Sequence, residues 1–195
     1  MPRISAREFE RLSLRVHGFL ADVPLHDAWA VNLPRLRSNI TLEEFLRAAG
    51  PSPFRPSAVV RALLTIRFFV GRLLGWDRAQ DGTAARSFAS RLTAADLSHS
   101  LVAAGTPQGI FRVVYRFKDE QLVEVFNRTV HAAALTALAE TPAGYRLYFA
   151  VYVKNVGGIT PVYMALIGPF RKWIVYPSLL RSVRRTWTHT FATSH

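Results

Sequence analysis

His26 and Asp27 are the first residues in the chain whose types could do chemistry together. A histidine beside a carboxylate is a common pair for proton transfer. Both lie in Leu25–Leu33, where apolar and polar residues alternate in the manner of a strand. Neighbouring side chains on a strand point to opposite faces of the sheet. We therefore expect His26 and Asp27 to point apart, and His26 to bond water or a backbone carbonyl.

His131 is the second candidate. Asn127, Thr129 and His131 repeat with a period of two, so on a strand they would share one face. That face could line a pocket, or His131 could be a structural histidine within the core. The spacing alone leaves both interpretations open.

The motifs of the common catalytic classes are missing from the sequence. There is no cysteine, which excludes thiolate nucleophiles and sulfur-ligated zinc. No His-Glu-x-x-His helix, Gly-x-Ser-x-Gly elbow, Walker loop or dinucleotide fingerprint occurs either. We expect no catalytic residue, metal site or cofactor, and an enzyme is the weakest of our hypotheses.

The chain is strongly basic, with 25 Lys and Arg against 13 Asp and Glu and a formal net charge of +12. All the cations except three lysines are arginine and they are spread along the chain, a skew that a GC-rich genome also produces. With no zinc finger, basic zipper or aromatic RNA-binding signature present, the charge does not favour nucleic acid. Arg181, Arg184 and Arg185 form the clearest local cluster.

Helical spacing of apolar residues predicts three helices in the first half of the chain. The first covers Ser5–His17 within a peripheral segment, 1–24. A second runs to about Ala49 from Thr41, which with Glu44 matches a capping box. The third and most apolar is Ala58–Leu74.

The pattern then changes to a period of two, which predicts strands. Ile110–Lys118 and Leu122–Asn127 form a hairpin around Asp119 and Glu120. Thr129–Ala139 fits a helix by its alanines and a strand by its position, and we favour the strand. Tyr145–Val153 is the clearest strand in the sequence.

Helical spacing returns after Gly157-Gly158, where Thr160 can cap a helix and Pro161 suits its first position. Pro169 and Pro177 lie inside this segment, and each removes a backbone donor and collides with the preceding turn. We therefore predict a kinked helix, or two to three short ones, that ends near Trp187 and is followed by a frayed tail, 188–195.

Two strings in the chain resemble the opening and closing signatures of DUF2867, a bacterial domain family of unknown function. They are His26–Pro34 and the segment from Tyr163 through Pro177; Asn127–His131 and Gly144–Tyr148 are similar to its central strands. The resemblance implies an affinity with the helix-grip (SRPBCC-like) superfamily, in which a curved antiparallel sheet wraps a long C-terminal helix around an apolar cavity. Because the family has no assigned activity, no catalytic residue is carried over.

The elements together predict a single α+β domain, 1–195, with a curved antiparallel sheet against a long, Pro-kinked C-terminal helix and additional N-terminal helices. The sheet and the last helix are rich in aromatic residues. Those rings either fill a core or line a cavity for a hydrophobic or aromatic small molecule. The residues we expect to line such a cavity are Trp29, Asn127, His131, Tyr148 and Tyr163.

The alternative hypothesis is a peripheral membrane-surface or partner-binding protein. Ala58–Leu74 and the C-terminal segment combine apolar faces with cations, as interfacial helices do, and Arg181, Arg184 and Arg185 would contact the anionic surface. Met1–Glu10 does not resemble a secretory signal, and the longest uncharged stretch, 155–170, is too short to span a bilayer. We expect a cytoplasmic protein with possible membrane contact and leave its oligomeric state open.

Overall fold

The computed structural model describes residues 3–50, 65, 87–126, 130–156, 164–165 and 168–192. Within these ranges the chain forms an α+β fold built on one six-stranded antiparallel sheet. The predicted helix Ala58–Leu74 lies, apart from the helical residue Thr65, outside the described residues.

The sheet has the strand order β1-β6-β5-β4-β3-β2, so the first strand pairs with the last. The strands are β1 (Leu25–Leu33), β2 (Pro107–Gln108), β3 (Phe111–Arg116), β4 (Glu120–Phe126), β5 (His131–Thr141) and β6 (Gly144–Lys154). The predicted β3–β4 hairpin is confirmed. The segment that fitted both a helix and a strand is the strand β5 from His131 onward, because its residues, alanines included, pair antiparallel along the full length of β6.

Alternation along the strands gives the sheet two apolar faces. In β1, Trp29, Val31 and Leu33 point to one face, which packs against the C-terminal helix and α3 (Leu42–Ala48). Ala28 and Ala30 point to the other, which packs against the N-terminal segment. The sheet is therefore a middle layer, covered on both sides.

The N-terminal segment contains two short helices, α1 (Ala6–Glu10) and α2 (Arg15–Phe19), rather than the one helix predicted over Ser5–His17. The break has a physical cause. The Glu120 carboxylate accepts the backbone N–H groups of Arg15 and Val16, at 2.8 and 3.0 Å, and so satisfies the start of a new helix. Because Phe9 and Val16 are fully buried, this segment belongs to the core and is not peripheral.

Helix α3 begins as the sequence predicts, with the Thr41 hydroxyl accepting the Glu44 N–H at 3.1 Å. The reciprocal half of the predicted capping box does not form, because the Glu44 carboxylate pairs with Arg37 instead. Further along, a 3₁₀ turn (Phe88–Arg91) and α4 (Ala94–His99) precede strands β2 and β3.

The C-terminal helix runs continuously through the described residues 168–192. It contains a π-helical turn, Arg171–Val175, followed by α5 (Tyr176–Ala192). The wide turn comes directly before Pro177, whose ring would collide with a carbonyl in a regular helix. The proline thus widens the helix without splitting it. Residues 188–192, which we expected in a frayed tail, are helical, and Phe191 is buried.

One glycine is required where β6 begins. Gly144 has a φ of 141°, and a Cβ atom there would lie 2.5 Å from the backbone oxygen of Leu33. The β5–β6 turn therefore packs directly on the backbone at the end of β1, which only glycine permits.

Candidate functional site

An open cleft of about 620 Å³ lies where the start of β1, the end of β6 and the first residues of the C-terminal helix meet. This volume is within the usual range for small-molecule sites. Most of the cleft wall is apolar. The lining residues are Pro24, His26, Val153, Asn155, Met164, Ala165, Gly168, Pro169, Lys172 and Trp173.

A β-bulge in β1 shapes the polar side of this cleft. Leu25 pairs with Tyr152 and Asp27 pairs with Val151, so one extra residue, His26, is accommodated between them. The alternation that would separate His26 from Asp27 is lost, and His26 Nδ1 lies 3.5 Å from Asp27 Oδ2. Our expectation that the two side chains point apart is therefore wrong, because it assumed a regular strand.

Asp27 is fully buried and is paired with Arg171 of the π-helical turn. Arg171 Nη2 donates to Asp27 Oδ2 at 2.8 Å and to His26 Nδ1 at 3.2 Å. The Tyr176 hydroxyl lies 3.4 Å from the same carboxylate oxygen, and Arg3 approaches the other oxygen at 3.8 Å. A buried carboxylate needs such partners, since an unpaired charge in the core is strongly destabilising.

Three buried polar atoms of Asp27, Arg171 and Trp29 have no hydrogen-bond partner among the described residues. They are the donors Arg171 Nε and Trp29 Nε1 and the acceptor Asp27 Oδ1, which Arg3 approaches only to 3.8 Å. Arg171 Nη1 reaches only the Met164 sulfur, at 3.6 Å, and a thioether is a weak acceptor. The guanidinium therefore keeps unused donor capacity next to a residue that lines the cleft.

Aromatic rings lie behind the cleft. Trp29 contacts the Tyr176 ring at 5.5 Å between centroids, and Phe149 contacts it at 5.6 Å. Burial raises the pKa of the Tyr176 hydroxyl well above its usual range, although the neighbouring Arg171 opposes the shift. Tyr176 therefore stays protonated and can donate to Asp27.

The predicted lining residues are not brought together. Trp29 lies on the face that packs against the C-terminal helix, whereas Tyr148 lies on the opposite face, in the core beneath the N-terminal helices. One cavity cannot contain both, because the sheet separates them. Asn127 and Tyr163 lie outside the described residues.

His131 is not among the residues that line the cleft, and neither are the residues it contacts. Its Nε2 lies 2.8 Å from Glu124 Oε2, and its ring stacks on Phe88 at 3.9 Å. Glu124 also accepts the Phe88 N–H at 2.9 Å and a hydrogen bond from the Ser87 hydroxyl. Burial opposes ionisation of Glu124, but these bonds outweigh it and lower its pKa.

This arrangement is structural. Ser87 bonds the carboxylate and not the histidine, so His131 is not placed to activate the hydroxyl as a nucleophile. Phe126 contacts the other side of the imidazole at 4.9 Å. Among the two interpretations of His131, the geometry supports the histidine satisfied within the core.

Comparison with protein families gives one match. The model of the family described as Protein of unknown function (DUF2867) matches residues 19–178, about four fifths of the chain. The chain belongs to the DUF2867 family. Searches of curated proteins and of solved structures found no match.

The DUF2867 match contains the whole cleft, from Pro24 to Trp173. Four residues of this site are not among those predicted from the sequence: Asp27 as a buried partner, Arg171, Lys172 and Trp173. The sequence does contain a signal for the Asp27–Arg171 pair. An acid in an apolar strand needs a cation, and because no Asp or Glu follows Glu140, any carboxylate partner of Arg171 must lie more than thirty residues earlier in the chain.

The exposed side of α5 carries the predicted basic cluster in the DUF2867 chain. Arg181, Arg184 and Arg185 are exposed and, with Thr188 and His189, line a shallow groove of about 540 Å³. In the described ranges, no helix is long and apolar enough to cross a membrane.

Proposed function

We propose that the protein binds a hydrophobic or aromatic small molecule in the cleft between the β1–β6 end of the sheet and the start of the C-terminal helix. The observation that carries the proposal is an uneven covering of one apolar face. Near the end of the helix, Trp187 is fully buried against Phe45, Tyr145 and Phe191. Near its start, the same layer opens into the cleft, and Trp173 is 83% exposed.

The proposed site is therefore smaller than the cavity implied by the helix-grip resemblance, and lies at one end of the layer. A curved sheet against a long helix is consistent with that superfamily, to which we propose the chain is related. An exposed tryptophan and a wall of Pro24, Val153 and Met164 favour an apolar or aromatic guest. The proposal includes no reaction, since Asp27 and Glu124 are both held in internal hydrogen bonds.

The test uses phenylnaphthylamine, an uncharged apolar dye whose fluorescence rises in an apolar site. We expect saturable binding to the full chain that is abolished by Ala165→Trp, which places an indole in the cleft from an exposed position. Ala104→Trp, an exposed alanine in the loop before β2, is the matched control and should bind the dye normally.

A thermal unfolding transition measured for each variant is the control that its fold is retained. No saturable binding, or binding that survives Ala165→Trp in a folded protein, would remove the cleft as a binding site.

Contact with an anionic membrane surface is a second candidate, and the charge on α5 favours it. From Thr141 to the C-terminus the sequence has seven Lys and Arg and no Asp or Glu. Three of these cations are the exposed arginines of the shallow groove, and the exposed Phe170 and Trp173 lie near the start of the same helix. Cations with aromatic rings on one helix are typical of interfacial binding.

Cosedimentation with phosphatidylglycerol vesicles tests this candidate. We expect salt-sensitive binding that is lost when Arg181, Arg184 and Arg185 are replaced by Ser. Replacing the exposed Arg7, Arg11 and Arg112 by Ser removes the same charge from elsewhere and should leave binding largely intact. Equal losses in the two triple variants would mean that net charge acts, and not this helix face.

A further inference from the structure

The polar groups around the cleft are strongly biased toward donors and cations. Its lining includes the Lys172 ammonium, the Asn155 amide and the His26 imidazole, but no carboxylate. The Asp27 carboxylate, behind this lining, is bonded through Oδ2 to Arg171 and the hydroxyl of Tyr176, whereas its Oδ1 has no hydrogen-bond partner among the described residues. The charge that a guest meets in the lining itself is therefore that of Lys172.

Lys172 is the outer of the two cations. Its side chain is partly exposed, and it has no ion-pair partner in the described part of the chain. A lysine at the mouth of an apolar cleft can bury its methylenes along the wall while the ammonium meets a charged group.

Arg171 lies behind the lining, in contact with the lining residues His26 and Met164, and its hydrogen bonding is incomplete. One nitrogen, Nη2, serves Asp27 and His26, whereas Nη1 has only the sulfur of Met164 and Nε has no partner within the described residues. A buried donor that lacks an acceptor is destabilising, and a ligand oxygen would satisfy it.

We infer that the guest of this cleft is an amphipathic acid: an apolar or aromatic body in the cleft, with a carboxylate or similar anionic group bound by Lys172 and Arg171. The inference rests on the proposed function and adds the chemical class of the ligand. Charge-assisted hydrogen bonds are stronger than neutral ones, so the anion should raise affinity about tenfold over an uncharged analogue.

The experiment compares two dyes with the same ring system. Phenylnaphthylamine is uncharged, and anilinonaphthalene sulfonate carries one anionic group. For the full chain we expect the sulfonate to bind about tenfold more tightly. Lys172→Met, which keeps the methylene stem, should remove most of that preference, measured as the ratio of the two dye affinities in the same variant.

Two further variants make the result specific. Lys118→Met removes the same charge from the exposed β3–β4 turn and should keep the full preference. Arg171→Lys keeps a cation for Asp27 but has fewer donors, and should reduce the preference without unfolding the protein. Competition with monomeric dodecanoate and with dodecanol repeats the comparison on an aliphatic body, and we expect the acid to compete better.

The outcomes separate the two proposals. If phenylnaphthylamine binds in the cleft but Lys172→Met and Lys118→Met give the same preference, the inference is overturned and the apolar site stands. If neither dye binds in a manner sensitive to Ala165→Trp, both are overturned. If Lys172→Met weakens only the binding of phosphatidylglycerol vesicles, the anion is a lipid surface and the small-acid inference is wrong.

Discussion

Two tryptophans on the C-terminal helix have opposite environments. The Trp187 ring is fully buried, contacts three aromatic rings, and its N–H donates to the Pro34 carbonyl at 3.0 Å. Trp173 lies within the π-helical turn, lines the cleft and is 83% exposed. One helix therefore closes the core at its end and leaves an accessible apolar surface near its start.

The difference teaches that aromatic content alone does not indicate a cavity. At the closed end, α3 brings Phe45 over the sheet and fills the space beside Trp187. At the open end, the wall includes Ala165, Gly168 and Pro169, and the Trp173 ring is exposed and not packed inward, so space remains. The variants below break or sharpen this contrast.

The largest effect should come from removing the buried ring. Trp187→Ala should lower the free energy of unfolding by about 4 kcal/mol, because it creates a cavity and leaves the Pro34 carbonyl without its donor. Trp173→Ala should change stability by less than about 0.5 kcal/mol while weakening binding of the apolar dye. Urea unfolding and dye titration measure the two effects, and similar losses of stability would contradict the contrast.

The next effect concerns the buried ion pair beside the cleft. Asp27→Ala should destabilise the protein by about 3 kcal/mol, because Arg171 would be left with its charge largely buried and unpaired. Asp119→Ala, which removes an exposed carboxylate from the β3–β4 turn, is the control and should have little effect. A near-neutral result for Asp27→Ala would mean that Arg171 turns outward readily and is not held in place.

A pair of glycines compares the two ends at the level of the backbone. Gly144→Ala should cost about 2 kcal/mol, since its Cβ atom would meet the Leu33 oxygen and its φ is unfavourable for alanine. Gly168→Ala, in the helix at the cleft, meets no atom of the described residues within 4 Å apart from its chain neighbours and should cost less, its penalty being the restriction that the following Pro169 places on a helical alanine. Thermal unfolding of both variants in parallel distinguishes the packed end from the open one.

The smallest effect is a pH dependence on the other face of the sheet. Asp96 accepts two hydrogen bonds from the Arg15 guanidinium, at 2.7 and 2.8 Å, and this contact holds the pKa of Asp96 well below its usual range. A carboxylate with a lowered folded-state pKa adds stability above the unfolded value of about 3.9, and loses that contribution as the pH falls below it. Stability should therefore drop on acidification from about pH 5.

Asp96→Asn checks the sign of that effect. The variant should be about 1 kcal/mol less stable near neutrality, and its melting temperature should fall less on acidification than that of the parent chain. A parallel acid limb in both proteins would show that Glu124, whose pKa is also lowered, or another carboxylate dominates.

Much of the fold follows from the sequence because its signals are local. Tyr145–Val153 alternates so regularly that its strand, and its pairing within an antiparallel sheet, could be predicted from side-chain period alone. Strand β1, Leu25–Leu33, lies between Pro24 and Pro34, two local signals that mark its ends. The split between α1 and α2 could not be predicted, because it depends on Glu120, which is more than a hundred residues away.

The candidate site was less predictable for the same reason. The bulge at His26 has no local signal, and it reverses the expected separation of His26 from Asp27. Trp29 lies on the face that packs against the C-terminal helix, but Tyr148 points to the other face because even and odd positions of β6 alternate. The period of a single strand shows which residues share a face, but not which element covers that face. Predicting the cover requires the complete topology.

The strand order also constrains when the cleft can exist during synthesis. Strand β1 is synthesised early but pairs with β6. The partner of the Asp27 carboxylate, the guanidinium of Arg171, is synthesised 144 residues later. A nascent chain released before the last quarter is translated would therefore expose an unpaired edge and an uncompensated acid. The cleft at this corner can form only after Trp173 has been made, so a dye that binds there would report that β1, β6 and the start of the C-terminal helix have come together.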